Sequence, residues 1–350
     1  MSAFPSIEGG LARIRERLTL RVPDGWRGLR EPVDLKKFFK RSRKKAEGVA
    51  ALHASPDGVG LVHVLFPEGE RPRLEVCVFS PVPKGQTAAK VAQGLVKSHK
   101  LEKARFVGVL DRSAYVLFPA DAPELPREEW NAAMKWRVKD QIPFPVTQAV
   151  VEIFAMPGNS TRIYVAVARE SEVRDLVRLF QGAGVKLTAL DIPELALRNL
   201  ARGLPDDHDG MVMLHLEKKS GMVMMIKRGQ FYLARRFENG FDTLLENLDD
   251  DGGGVTRAPF MDRIALEAQR TMDYFESHFG QGQASSLHIT PMVVPIEGVR
   301  QALAERLGMR IRPLPVNEIL ECPEGVAESD LARLLPAIGA TMRERGGEEA

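Results

Sequence analysis

GVAALHASPDGVGLVHVLFPEGERPRLEVCVFS, residues 48–80, holds three apolar runs, GVAALHAS, VGLVHVLF and RLEVCVFS, parted by Pro56-Asp57-Gly58 and Pro67-Glu68-Gly69. Short apolar runs bounded by Pro, Asp and Gly read as strands, and such short links join neighbours, so the segment predicts a three-stranded antiparallel meander. After the loop LPDDHDG, residues 204–210, the pattern returns as MVMLHLEK, GMVMMIKRG and QFYLARRF. A three-strand opening that occurs twice, each time followed by helices and further strands, predicts two related α/β lobes facing a cleft.

Between the two openings the expected elements are a helix near 87–99 and a hairpin, RFVGVL with AYVLFPA, turning at Asp111-Arg112-Ser113. A helix over 126–141 follows, with Pro126 in its first turn and Glu128 and Glu129 at its positive end. Ile142-Pro143-Phe144-Pro145 ends it, and AVVEIFAMP and RIYVAVARE are strands joined across Gly158-Asn159. Ser171 is expected to cap a helix that buries Val173, Leu176, Val177 and Phe180. KLTALDI is a strand and Pro193 starts the next helix. In the second half, residues 261–279 predict an amphipathic helix with Ile264, Ala268, Met272, Phe275 and Phe279 inward. SLHITPMVV is a strand, 297–307 a helix, MRIRPLP a strand, and helical segments run through Leu331, Leu334, Leu335 and Ile338. The division expected is an arm over 1–45, a first lobe of 46–100, 169–205 and 330–345, an inserted subdomain over 101–168, and a second lobe over 206–328.

The 350 residues carry a net charge of only +2, yet residues 1–45 hold 13 Lys and Arg against 5 Asp and Glu, a net of +8. The rest of the chain therefore carries −6. Leu11, Ile14 and Leu18 at helical spacing among Arg13, Arg15 and Arg17, then DLKKFFKRSRKK at 34–45, fit contact with anionic lipid, Phe38 and Phe39 dipping in. A solvated lead-in is the plainer alternative. Nucleic acid is set aside, because no recognition helix or stacking platform accompanies the basic strip. The start, MSAFPSIEGGLARIRERL, has no apolar export segment, no run of about 18 apolar residues occurs, and Cys77 and Cys322 form no paired motif. The expectation is a reduced, cytoplasmic protein held at a membrane through a partner.

Several stretches carry a resemblance. WNAAMKWRVKDQIPFPVTQAVVEIFAMP (130–157), VRDLVRLFQGAGVKLTALDIPELALRNL (173–200), RIALEAQRTMDYFES (263–277) and PAIGATMR (336–343) resemble the PilM/MshI proteins of bacterial type IV pilus assembly, over roughly residues 46–343. The resemblance implies an actin-like (FtsA/PilM-type) two-lobed α/β fold with an inserted small αβ subdomain. It implies a non-enzymatic scaffold of a pilus of the mannose-sensitive haemagglutinin kind. Its partner would be the cytosolic tail of a PilN-like inner-membrane protein, bound beside the insertion, with the pilus ATPase as a further partner. Alternatives of the same fold are a nucleotide-dependent ATPase or switch, and a GspL-like secretion-platform component.

Phosphate binding needs glycine-rich hairpins whose N–H groups close on the anion. The resemblance places two such hairpins, each with an acidic residue, at 52–60 and 214–222. Here the first offers His53, Ser55, Asp57 and Gly58, with Pro56 removing a donor. The second offers His215 where the acid belongs, then Lys218, Lys219 and Ser220, with Glu217 a substitute if the register is two residues off. TPMVVPIEG, 290–298, replaces the glycine pair expected over adenosine. A degenerate nucleotide site follows, with no cofactor expected, although ATP with magnesium is the ligand to test.

No phosphate loop, dinucleotide fingerprint, HExxH or GxSxG occurs. His208 among Asp206, Asp207 and Asp209, and the run Asp249-Asp250-Asp251, read as solvated loops rather than metal sites, and His215 and His288 as core histidines. Trp136, with Arg137, Asp140 and Phe144, is the candidate partner-binding group, an aromatic among charges suiting an anchor for a peptide. Against this, Trp136 could simply face its own sheet.

Overall fold

The structure, a computed structural model, describes residues 48–246, 258–294 and 298–343. The basic arm, the aspartate run 249–251 and the extreme carboxy-terminal residues lie outside them. Strands β1 (Gly48–Ser55), β2 (Gly58–Leu65) and β3 (Arg73–Ser80) form the meander read from the sequence. β4 (Arg105–Val109) and β8 (Leu187–Asp191) extend it in parallel, giving the order β3-β2-β1-β4-β8. The second sheet repeats this order strand for strand. β9 (Met211–Leu216), β10 (Ser220–Lys227) and β11 (Gln230–Glu238) are its meander, and β12 (Ser286–Ile289) and β13 (Arg310–Pro313) its parallel extension, in the order β11-β10-β9-β12-β13. The duplication seen in the sequence is thus a duplication of topology.

A third, antiparallel sheet in the order β5-β7-β6 comprises β5 (Tyr115–Asp121), β6 (Ala149–Met156) and β7 (Asn159–Arg169). The helices are α1 (Ala88–Ser98), α2 (Trp130–Arg137), α3 (Glu170–Gly182), α4 (Pro193–Ala201), α5 (Phe241–Glu246), α6 (Ala258–Phe279), α7 (Val299–Leu307), α8 (Val316–Ile319) and α9 (Glu328–Thr341).

Four local expectations are corrected. The hairpin expected over 105–120 does not form: β4 joins β1 and β8 in the first sheet, and β5 starts the third. Phe106 and Val107 are fully buried, which a strand between two parallel neighbours requires. Asp111 then accepts from the Ser113 N–H at 2.9 Å, capping a 3₁₀ turn (Arg112–Ala114) that leads the chain from one sheet to the next. The helix expected over 126–141 is only α2, flanked by 3₁₀ turns Arg127–Glu129 and Lys139–Gln141, because the Val138 N–H is shared between the Met134 and Trp136 carbonyls and the last turn tightens. Ser171 caps nothing: β7 runs straight into α3, whose cap position is Arg169, and Glu170 and Glu172 complement its positive end instead. The strand SLHITPMVV stops at Ile289, one residue before Thr290-Pro291.

The largest core cluster ignores lobe boundaries. It takes Val49, Ala51, Val62 and Val107 from the first sheet, Leu197 and Leu200 from α4, Leu334 and Ile338 from α9, Met213, Met224 and Phe231 from the second sheet, and Phe154 and Tyr164 from the third. All nine residues of α4 are buried. α4 and α9 pass so close that a Cβ at Gly339 would stand 2.0 Å from the Ala196 carbonyl oxygen. The third sheet alternates with period two: Ile163, Val165 and Val167 face Met134 and Val138 under α2, while Tyr164 and Ala168 face the main core. Tyr164 stacks on Phe154 at 5.3 Å and meets Phe231 at 5.1 Å, and its hydroxyl donates to the Tyr232 carbonyl, fixing the third sheet against β11. Cys77 is buried, Cys322 half-buried, and both are free thiols.

Candidate functional site

The β1–β2 and β9–β10 hairpins face each other across the cleft between the lobes. Lys218 Nζ on one stands 3.9 Å from Asp57 Oδ2 on the other. Both side chains are about half exposed, so this contact steers more than it holds. Behind it, the Glu217 N–H donates to the Ser220 carbonyl at 2.8 Å and the Ser220 hydroxyl donates to Glu217 Oε2 at 2.7 Å. The Glu217, Lys218 and Lys219 carbonyls accept from Phe241, Asp242 and Asn239, which ties down the hairpin backbone.

Two histidines lie near Glu217. His215 on β9 is 3% exposed, with Nδ1 at 2.9 Å from Thr290 Oγ1 and Nε2 at 3.8 Å from Glu217 Oε1. His53 lies on β1, and its Nδ1 is buried without a hydrogen-bond partner. Burial lowers the pKa of both below the usual histidine value, more than Asp111 and Glu217 raise that of His53, or Glu217 that of His215. Both rings are therefore neutral at physiological pH, where the resemblance implies carboxylates holding a hydrated cation. Of the expected loop residues, the structure brings His53, Asp57, His215 and Lys218 to the cleft. Ser55 spends its hydroxyl on the Gly58 carbonyl at 3.5 Å and Ser220 on Glu217, within their own hairpins.

A group the sequence reading missed fills the cleft floor. Arg112, from the turn after β4, donates from Nη1 to the Gly221 carbonyl on β10 at 3.0 Å. Burial lowers its pKa, and Glu217 and Glu194 act in the opposite sense. Next to it, the Tyr115 hydroxyl donates to Glu194 Oε2, and Arg236 Nε donates to Glu194 Oε1 at 2.8 Å. The Arg236 guanidinium lies 4.5 Å from the centre of the Tyr115 ring. Glu194 is fully buried. Burial opposes the charge on Arg236, but Glu194 and Tyr115 outweigh it and its pKa is raised; burial and Glu194 push Tyr115 well above its usual value. The three residues come from β5, α4 and β11, so one charged cluster joins the third sheet, the interlobe helix and the second lobe. The available signal was a charge inside an apolar run: Glu194 in LDIPELALRNL and Arg236 in QFYLARRF.

On the third sheet's outer side, Trp136 is 67% exposed, which corrects the alternative that it faces its own sheet. Arg137 and Asp140 are exposed beside it. Phe144 does not join them: Arg169 covers its ring at 4.9 Å and it packs into the subdomain core. Trp130 is likewise occupied, its Nε1 donating to the Leu125 carbonyl at 2.8 Å and Arg127 lying 4.3 Å over its ring.

The boundary loop is structural. Asp206 accepts from Ser286 at 2.7 Å and pairs with His288 at 2.8 Å, Asp207 accepts from the Gly229 N–H at 2.6 Å, and His208 is exposed against Asp209. Among the described residues no group of three or more side chains could hold a metal ion.

No protein-family model and no curated protein matches the chain. Solved structures do. A PilM–PilN type IV pilus biogenesis complex superposes with a TM-score of 0.67 at 19% identity, over 87% of this chain and 100% of that one. A Bacteroides thetaiotaomicron protein with an actin-like ATPase fold and unknown function gives 0.47 at 12%, over 87% and 99%. The cytoplasmic domain of EpsL, an inner-membrane component of the type II secretion system of Vibrio cholerae, gives 0.44 at 12%, over 74% and 94%.

Proposed function

The fold is therefore the actin-like α/β fold with an added antiparallel sheet, and from it we propose that this chain is a non-enzymatic scaffold of a type IV pilus assembly platform, of the MshI kind. It holds the cytosolic tail of a PilN-like inner-membrane protein and so sits in the cytoplasm at the inner membrane. The observation that carries the reading is Trp136, a large aromatic left two-thirds exposed on the added subdomain while its neighbours Trp130 and Phe144 are both covered. The likeness to a PilM–PilN complex over the whole of that chain supports the choice of partner. The cleft chemistry supports a scaffold without nucleotide: neutral histidines on both hairpins, and Arg112 reaching across the floor. Calorimetric titration with a PilN-like tail peptide tests the reading. Binding that weakens in Trp136→Ala at unchanged melting temperature supports it, and equal affinity of wild type and variant would overturn it.

A second reading keeps the nucleotide. Glu217 and Lys218 place a carboxylate and an ammonium at the mouth of the cleft, which favours a magnesium-ATP switch of the same fold. A ligand present at 100 times its Kd should stabilise the chain by about 2.7 kcal/mol, so thermal melts with magnesium-ATP separate the two readings.

A further inference from the structure

The third sheet belongs to the first lobe by chain and to the second by packing. It starts after the turn Arg112–Ala114 that follows β4, and it ends where β7 runs straight into α3, whose Phe180 meets Phe106 of β4 at 6.2 Å. Both of its covalent ties are therefore to the first lobe. Its seat is on β11, the edge strand of the second sheet. A bulge shapes that seat: Met225 pairs with Leu233 and Ile226 with Phe231, so Tyr232 is an extra residue without a partner in the ladder. Phe231 consequently turns to the third sheet, meeting Tyr164 at 5.1 Å and Phe154 at 6.3 Å, while Tyr232 and Leu233 both turn to the core of the second lobe. The carbonyl of the extra residue accepts from the hydroxyl of Tyr164, which lies on the middle strand of the third sheet and is 5% exposed. Further along β11, Arg236 lies over the ring of Tyr115, and both residues bond Glu194. The chain itself passes between the lobes twice. It does so through 202–210, and again between Leu314, bonded to Ile289 of β12, and Glu321, bonded to Pro72 beside β3.

We infer that the third sheet is a strap that fixes the angle between the two lobes, with the bulge at Tyr232 as its catch. The two crossings are single segments of chain, and such segments absorb the backbone rotations of a hinge. A sheet tied to one lobe and seated on the other cannot follow that rotation. Either the lobes keep one angle, or Tyr164 leaves Tyr232 and Tyr115 leaves Glu194 and Arg236. Ring contacts tolerate sliding, whereas a hydroxyl bond weakens steeply as it bends, so the two tyrosine hydroxyls set the angle. Lys218 and Asp57, 3.9 Å apart on facing hairpins and both about half exposed, are the contact that separates when the strap lets go. The strap needs neither a tail peptide nor a nucleotide, and so goes beyond the scaffold reading.

The experiment is hydrogen–deuterium exchange of the full chain, read by mass spectrometry. Tyr164→Phe removes one hydroxyl and keeps the ring. Exchange should rise on the order of 10-fold, the effect of one lost hydrogen bond on an opening equilibrium, in the facing hairpins 52–60 and 214–222. It should stay unchanged in α1, which packs within the first lobe's own core. Tyr115→Phe, at the second anchor, should raise exchange in the same two hairpins. A rise confined to 159–169 and 230–238 would mean that the sheet leaves its seat without moving the lobes. A rise shared equally by α1 would mean that the hydroxyl stabilises the whole fold and not the angle, and no rise at all would mean that the hydroxyls set nothing. Each of these three results would overturn the inference.

Discussion

Arg112 and Gly221 join the two lobes directly: the guanidinium of the first, leaving the turn after β4, donates to the carbonyl of the second on β10 at 3.0 Å. The bond is charge-assisted and its donor half-buried. Arg112→Leu should lower stability by about 1.5–3 kcal/mol, read from urea unfolding. A variant as stable as the parent would mean that this bond adds nothing to the joining of the lobes.

Glu194 and Arg236 are a buried pair completed by Tyr115, and breaking it leaves an uncompensated charge. Arg236→Leu alone should cost about 3–5 kcal/mol. The double variant Glu194→Leu with Arg236→Leu should recover much of that loss, because an apolar pair of similar volume needs no solvation. Urea midpoints of the three proteins give the coupling, and additive losses would show that the pair is not energetically linked.

Stability should decline with acid through the histidines of the first two sheets. His53, His63 and His215 are all pushed below the ordinary histidine value by burial, so the folded state binds fewer protons than the unfolded chain. Their contribution is fully present above the unfolded pKa of about 6.5 and is lost as pH falls below it toward the folded values. Melting temperatures recorded from pH 8 to pH 5 (a span of roughly 1.5 units either side of that value) should fall on the acid side. His53→Asn should flatten that fall.

Trp136 and Phe144 should separate binding from folding. Trp136→Ala removes an exposed ring and should leave the melting temperature within error while weakening tail binding by about 2 kcal/mol. Phe144→Ala removes a ring packed under Arg169 and into the subdomain core, and should lower the melting temperature. The reverse pattern would move the binding surface elsewhere.

Gly339 tests the crossing of α4 and α9. In a free helix Gly→Ala gains about 1 kcal/mol. Here the added methyl would lie 2.0 Å from the Ala196 carbonyl oxygen, backbone that cannot give way cheaply. Gly339→Ala should therefore destabilise the protein, and a raised urea midpoint would show that the helices can part.

The sequence by itself determined what neighbouring residues decide. The two meanders at 48–80 and 211–238, the amphipathic helix of 258–279 and the start of α4 at Pro193 are all read from period, turn residues and caps within a few positions. Their repetition was enough to predict two related sheets, which share one strand order. Only the tertiary structure decided which partner each strand takes. RFVGVL and AYVLFPA look like one hairpin because they are close in sequence, yet β4 gains more by lying buried between β1 and β8. The cleft floor was hidden for the same reason. Tyr115 and Glu194 are 79 residues apart and Glu194 and Arg236 are 42 apart, and a charge in an apolar run shows its purpose only when its partner arrives. Trp136 was named from the sequence, but only the fold showed that its ring stays in water while Phe144 turns inward, because solvent exposure depends on every element packed around a residue and not on its neighbours along the chain.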